Sequence, residues 1–210
     1  RGGTSHAQPG KPWRRRAIAA LGAAAKGEVV DLCAGTLDLT VMLLAAGAQH
    51  VHAVDFSAPM LLAGRSKLAS DAPVTLHTAD ARALPLADGS VDGVIAGFGL
   101  RNVPDVHLAL AEAARVLRPG GRLVVLEFFQ PSTWSARLLQ GSYNRFVMPL
   151  LGGLISGYSA AYRYLAGSIN AFMGRPDFEA LLLDNGFIRA SGCDMFPPVA
   201  SLVVGEKGAE

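Results

Sequence analysis

Short apolar runs alternate with helix-period segments between residues 29 and 128. Val29–Cys33 reads as a buried strand stopped by Ala34-Gly35, and residues 38–46 follow as a helix. His50–Val54 is a second strand ending at Asp55, residues 58–69 a second helix, and Val74–Thr78 a third strand ending near Asp80. Val91–Ala96 is a fourth strand. Residues 106–117 form a helix closed by Arg118-Pro119-Gly120-Gly121, and Arg122–Phe128 is a fifth strand. Strands alternating with helices imply parallel pairing through right-handed crossovers. Continuously apolar runs fit strands covered on both faces. The fold class predicted is α/β, a doubly wound and mostly parallel sheet, which binds ligands at the carboxyl ends of its strands.

The rhythm fails after Phe128. Residues 129–174 are aromatic, Gly-rich and helical in parts, with Tyr143, Phe146, Tyr158, Tyr162 and Tyr164, and are too long for a crossover. They are read as an inserted helical cap beside the ligand crevice, within one domain spanning residues 1–210. Residues 177–185 then form an amphipathic helix stopped by Gly186. Strands around Ile188–Cys193 and Ser201–Gly205 close the sheet as an antiparallel hairpin, for seven strands in all. Upstream, residues 11–25 join an Arg14-Arg15-Arg16 cluster to an Ala-rich helical stretch.

A chain of 210 residues that is 50% hydrophobic can bury a full core, which excludes a disordered protein. Its net charge of +2 gives no argument for a nucleic-acid partner. Two cysteines far apart, Cys33 and Cys193, form neither a disulfide framework nor a zinc pattern, so a reduced, cytoplasmic protein is predicted. The five histidines show no ligand spacing, and no metal is expected. The chain does not open with Met, and its polar, Gly-rich start predicts no secretory leader. The longest uncharged run, residues 146–162, falls short of the roughly 20 residues of a spanning helix and is broken by Pro149, Gly152, Gly153 and Gly157.

Candidate chemistry gathers at the predicted strand ends. Gly35, in the turn from Asp31 to Asp38, lets backbone approach a ligand closely. Asp55 is placed to accept hydrogen bonds from ribose hydroxyls, while the absence of G-x-G-x-x-G argues against a nicotinamide dinucleotide. Asp80, just past the third strand, suits an adenine amino group. Arg101-Asn102, in the segment Ala96–Val103, can bind and orient an anionic oxygen because guanidinium is always charged and forked. A surface ion pair of Arg101 with Asp105 is the plainer alternative.

With these residues in view, the chain resembles the ubiquinone/menaquinone biosynthesis C-methyltransferases. The resemblance runs from about Trp13 to Lys207. It is carried by Phe98-Gly99-Leu100-Arg101-Asn102-Val103, by Arg115-Val116-Leu117-Arg118-Pro119-Gly120-Gly121 with Leu126-Glu127-Phe128, and by Asp55-Phe56-Ser57 with Met60-Leu61. Ala83-Leu84-Pro85, Tyr162-Arg163-Tyr164-Leu165 with Ser168-Ile169, and Trp13-Arg14-Arg15 also match. The resemblance implies a Rossmann-like methyltransferase fold and S-adenosylmethionine (SAM) as cofactor. It implies that Thr36 contacts the methionine end, Asp55 the ribose diol, Asp80 and Ala81 the adenine, and that Gly97 lies beside the sulfonium. Asp31, Gly35 and Phe56 complete the implied cofactor set, and Arg101 and Asn102 would face the substrate. Two departures stand out. Leu37 replaces the second glycine of the family's G-T-G-D turn, where a side chain is expected to crowd the cofactor's carboxylate or to force a different φ. The family's Y-D-x-x-N segment, which helps cover the cofactor, is not matched by residues 5–11.

The expected reaction is transfer of a methyl group to a ring carbon of a polyprenyl quinol. A phenol titrates near 10, so the site must stabilise the phenolate or take its proton. Arg101 is expected to stabilise the oxyanion and Asn102 to orient it, with Glu127 as a weaker candidate for the base. Tyr143, Phe146, Tyr162 and Tyr164 would line an isoprenoid tail site. The Arg14–Arg16 cluster reads as a solvated helix face, with peripheral contact to anionic lipid as the second reading. Monomer and homodimer are both compatible with the sequence. Two other functions remain open: methylation of another small aromatic, and a non-catalytic methyltransferase-like scaffold.

Overall fold

A computed structural model describes residues 10–130, 167–169, 171–196 and 199–209. Its elements are α1 (Lys11–Ala20), β1 (Glu28–Leu32), α2 (Asp38–Ala45), β2 (His50–Asp55), α3 (Ala58–Arg65), β3 (Val74–Thr78), β4 (Val91–Gly97), α4 (Val106–Val116), β5 (Leu117–Glu127), α5 (Arg175–Asp184), β6 (Phe187–Asp194) and β7 (Ser201–Lys207). The sheet order is β3-β2-β1-β4-β5-β7-β6. The first five strands pair in parallel, and β7 runs antiparallel between β5 and β6. The order reverses between β1 and β4, which leaves a crevice at their carboxyl ends.

Neighbouring strand residues face opposite layers, as a period of two requires. Val30, Val94 and Val125 pack with Leu110 and Ala113 of α4 and with Phe178 and Leu182 of α5. Val29, Ile95 and Val124 pack with Trp13 and Ile18 of α1 and with Leu39 and Leu43 of α2. This two-sided burial is why the central strands β1, β4 and β5 read as apolar runs, whereas the edge strand β3 is partly exposed and alternates with polar residues.

Three local readings differ from the structure. The helical stretch 11–25 breaks at Gly22, φ +62, into α1 and a short 3-10 turn over Gly22–Lys26. The Arg118-Pro119-Gly120-Gly121 segment does not stop the preceding helix from outside the sheet. It lies within β5, where the register against β4 jumps from Val91↔Leu117 to Gly93↔Arg122. The helix from residue 58 ends at Arg65 instead of residue 69.

The excursion after β5 starts and ends at one place. Gln130 bridges Gly174, and its N–H donates to the Met173 carbonyl at 3.1 Å. Phe129, Phe172 and Phe178 close the join with ring centroids 5.2–6.1 Å apart. The predicted cap lies mostly outside the described residues, and Tyr143, Phe146, Tyr162 and Tyr164 with it.

Leu37, the N-cap of α2, keeps the left-handed backbone a glycine would adopt, at φ +66. Its side chain is 0% exposed and packs on Ala34, Ala53 and Leu61. Gly64 of α3 makes this possible. A Cβ there would stand 2.6 Å from Leu37 Cγ and 2.6 Å from the Thr36 carbonyl. Gly64→Ala is therefore expected to destabilise the protein by about 1–3 kcal/mol through overpacking, measured by urea unfolding. The loss should shrink when Leu37 is also replaced by glycine.

Candidate functional site

The carboxyl ends of β1, β2, β3 and β4 enclose a cavity of about 600 Å³. Asp31, Gly35, Thr36, Asp55, Phe56, Asp80, Ala81 and Gly97 all line it, as does Asn102. Residues spread from Asp31 to Asn102 converge because they follow or end strands on the same edge of a parallel sheet.

Asp55 ends β2. Gly35 N–H donates to its Oδ2 at 2.8 Å and Ser57 N–H to its Oδ1 at 2.8 Å. Each oxygen keeps acceptor capacity toward the cavity, the arrangement a vicinal diol requires. Gly35 stands at φ +53, where only a residue without Cβ is unstrained. Phe56 is 82% exposed, a flat apolar face at the cavity rim.

Asp80 is gripped by Arg82: the Arg82 backbone N–H and Nε donate to Oδ1, and Nη2 donates to Oδ2 at 2.7 Å. Those bonds hold its carboxyl down at about 2. Both residues line the cavity, so an adenine amino group would share Asp80 with its arginine.

Asp31 is 1% exposed and accepts a hydrogen bond from Thr40 Oγ1 at 2.6 Å. Burial pushes its carboxyl up to about 7 despite that bond and the charge of Arg14. A cationic ligand group beside it would favour the anion. Cys33 also lines the cavity, at φ +59. Burial, with Asp55 and Asp31 nearby, pushes its thiol up to about 12, so it is a wall and not a nucleophile.

Arg101 and Glu127 do not line this cavity. Arg101 Nη1 donates to Glu127 Oε1 at 2.7 Å, with the side chains 10% and 1% exposed. The Arg101 and Phe128 backbone N–H groups also donate to Glu127, and Arg101 Nε donates to Ser168 Oγ at 3.3 Å. The pairing of Arg101 with Asp105 is replaced by this buried one. Asp105 instead caps α4 by accepting from Leu108 N–H. Burial raises the Glu127 carboxyl while Arg101 opposes the rise, and every oxygen of Glu127 already has a donor.

Leu37 does not crowd the cavity, contrary to expectation. Its side chain points into the core and is absent from the cavity wall. The sequence reading missed Arg14, Cys33, Leu39, Met60 and Arg82 as wall residues. For Arg82 and Met60 the signal was proximity to Asp80 and Asp55. For Arg14 the Trp13-Arg14-Arg15 match offered one. Among the described residues, no group of three or more His, Cys, Asp or Glu side chains is arranged to hold a metal ion.

A seven-stranded sheet with an antiparallel β7 and a cavity across its switch point gives the molecule a Rossmann-like α/β fold, shared with solved methyltransferases. The fold matches a putative methyltransferase solved with the Haloferax volcanii Trm112 activator, with TM-score 0.71 and 18% identity over 94% of this chain and 90% of that one. It also matches Haemonchus contortus phosphoethanolamine N-methyltransferase 2 solved with S-adenosyl-L-methionine, with TM-score 0.72 and 14% identity over 94% of this chain and 53% of that one. Residues 6–207 match the model of the ubiE/COQ5 methyltransferase family, and the chain belongs to that family. It is 46% identical to a demethylmenaquinone methyltransferase of Thermus thermophilus over 83% of this chain and 80% of that protein. It is 40% identical to a ubiquinone/menaquinone biosynthesis C-methyltransferase of Syntrophotalea carbinolica, over 92% and 82%.

Two outcomes follow from these charges. The folded state holds the Asp31 proton up to about 7, against 3.8 for the ordinary carboxyl. The folded state therefore loses stability relative to the unfolded chain as pH rises from about 4 to 7. Asp31→Asn should flatten that slope and be more stable above pH 7 by on the order of 2–4 kcal/mol, read from urea unfolding across pH. Glu127→Ala strands the buried Arg101 and should cost about 3–5 kcal/mol. Pairing it with Arg101→Met should recover part of the loss in thermal unfolding.

Proposed function

We propose that this protein methylates a ring carbon of a demethylated polyprenyl quinol in quinone biosynthesis, with SAM as the methyl donor. Family membership and the curated relatives' names support the reaction. The observation that carries the site is the single cavity on which Asp31, Asp55 and Asp80 converge.

The donor set fits SAM. Asp55 offers its acceptors to the ribose, Asp80 and Ala81 flank the adenine end, and Phe56 gives an apolar face at the rim. Asp31 would meet the α-ammonium group, and Gly35 and Thr36 give backbone room at the methionine end. Bound SAM supplies an electrophilic methyl on a sulfonium. The protein's own task is to hold an acceptor carbon in line and to ease ionisation of the neighbouring hydroxyl.

We assign that task to Asn102 and Arg101. Asn102, on the wall, orients the acceptor oxygen. Arg101 lies off this wall, so we place it on the acceptor side of the site, where it would stabilise the developing phenolate as half of a nearly neutral pair with Glu127, by directed hydrogen bonding more than free charge. Glu127, with its oxygens already bonded, positions Arg101 in this reading; the sequence had offered it as the base. Tyr143, Phe146, Tyr162 and Tyr164 are the proposed walls of the tail site. A lipid-soluble substrate is met at a bilayer surface, where the exposed Lys11, Arg15 and Arg16 of α1 would face anionic headgroups. No helix among the described residues is long and apolar enough to cross a membrane.

The test is methyl transfer from SAM to a short-tail demethylmenaquinol kept reduced, beside a panel of simple phenols. Turnover of the quinol over the phenols is expected. Arg101→Ala should lower kcat by about 10²-fold or more while the Kd for SAM holds within a few-fold. Turnover confined to the phenols, or undiminished in Arg101→Ala, would sink the respective assignment.

A further inference from the structure

The cluster Arg14-Arg15-Arg16 divides in the fold. Arg15 and Arg16 are exposed, whereas Arg14 is half-buried and forms part of the cavity wall. It enters from α1, which packs on β4, β5 and α2, whereas Asp31, Asp55 and Asp80 come from the ends of β1, β2 and β3. Its guanidinium carbon lies 5.9 Å from the Phe98 ring centroid. Phe98 stacks on Phe128 at 4.5 Å and faces Trp13 at 6.3 Å, and Trp13 is anchored by donating from Nε1 to the Phe196 carbonyl at 3.0 Å. Arg14 is thus held on an aromatic shelf that is itself pinned to β5 and to the turn between β6 and β7.

Cations and anions are distributed unevenly around this cavity. Asp31, Asp38, Asp55 and Asp80 line it, against Arg14 and Arg82. Arg82 is bound to Asp80, and Asp38 to Lys67. Among the described residues, no carboxylate lies within ion-pair distance of Arg14. Arg14 is close enough to Asp31 for its charge to pull that carboxyl's proton affinity down. An amino-acid end is a zwitterion. A site that offers Asp31 to its ammonium must find a cation for its carboxylate within the same few ångströms. Thr36, Leu39, Gly97 and Phe98, which line the same region, carry no side-chain charge.

We propose that Arg14 binds the α-carboxylate of the methionyl end of SAM, so that α1 is part of the cofactor site and not only a surface helix. The inference rests on the reading of this cavity as the SAM site. It gives the carboxylate a forked, permanently charged partner, held ready by the aromatic shelf.

The test compares two ligands that differ at that end. S-adenosylhomocysteine carries the amino-acid group, and 5′-methylthioadenosine keeps the adenosine and lacks the carboxylate. Both are titrated calorimetrically into the purified full chain and into its Arg14→Gln and Arg14→Lys variants. Arg14→Gln should lose about 10-fold or more in affinity for S-adenosylhomocysteine and bind 5′-methylthioadenosine as the parent does. Arg14→Lys should recover part of the loss. Equal losses for both ligands would make Arg14 a structural residue and overturn the proposal, as would no loss for either. If the parent chain binds neither ligand, the SAM reading of the cavity fails, and that result is distinct from a failure of Arg14 alone.

Discussion

The pair between Arg101 and Glu127 is the contact on which the strand-end architecture depends. Glu127 ends β5, Arg101 lies in the turn after β4, and Ser168 belongs to the segment returning from the long excursion. One buried carboxylate therefore ties two central strands and the returning chain together. Its desolvation is tolerable only because the Arg101 guanidinium and two backbone N–H groups satisfy it. Asn102 is set on the cavity wall by the backbone this pair holds, and the stacked Phe98 and Phe128 directly follow the ends of the same two strands.

Strain is concentrated at the same edge. Cys33, Leu37 and Phe98 are the non-glycine residues with left-handed backbone, at φ between 59 and 66, among the described residues. Each costs of order 1 kcal/mol or more, and each is held by packing. Leu37 is buried against α3, the half-buried Cys33 packs against the core beside β1, and Phe98 is held by its ring neighbours. Two of the three line the cavity. The rigid core thus fixes a backbone path around the ligand crevice that local preference alone would not adopt.

Electrostatics divides the crevice into two ends. Asp80 is strongly ionised because Arg82 compensates it, whereas the Asp31 carboxyl is pushed up to about 7 because burial outweighs its hydrogen bonds from Thr40 and the charge of Arg14. Asp55 lies between them, bonded only by backbone N–H groups and therefore still able to accept. Asp80 and Asp31 are thus shifted in opposite directions within one cavity, set by what each carboxylate touches.

Much of this was legible in the sequence. Alternating apolar runs determined a doubly wound sheet, because burial on both faces removes polar positions from a strand. The positions of Asp31, Gly35, Asp55, Asp80 and Gly97 at strand ends determined that they would meet, because a parallel sheet gathers those ends on one edge. The motifs around Arg101 and Glu127 determined the family. Other features were decided only in three dimensions. The direction of the Leu37 side chain depends on Gly64, 27 positions away, making room for it. The partner of Arg101 is Glu127 and not the nearby Asp105, because β4 and β5 are neighbours in the sheet. Arg14 turns inward while Arg15 and Arg16 stay outside, because α1 packs its Trp13 face across the sheet. Periodicity encodes which face of an element is buried. It carries no information about which distant element will cover that face, and it is that choice which pairs the charges.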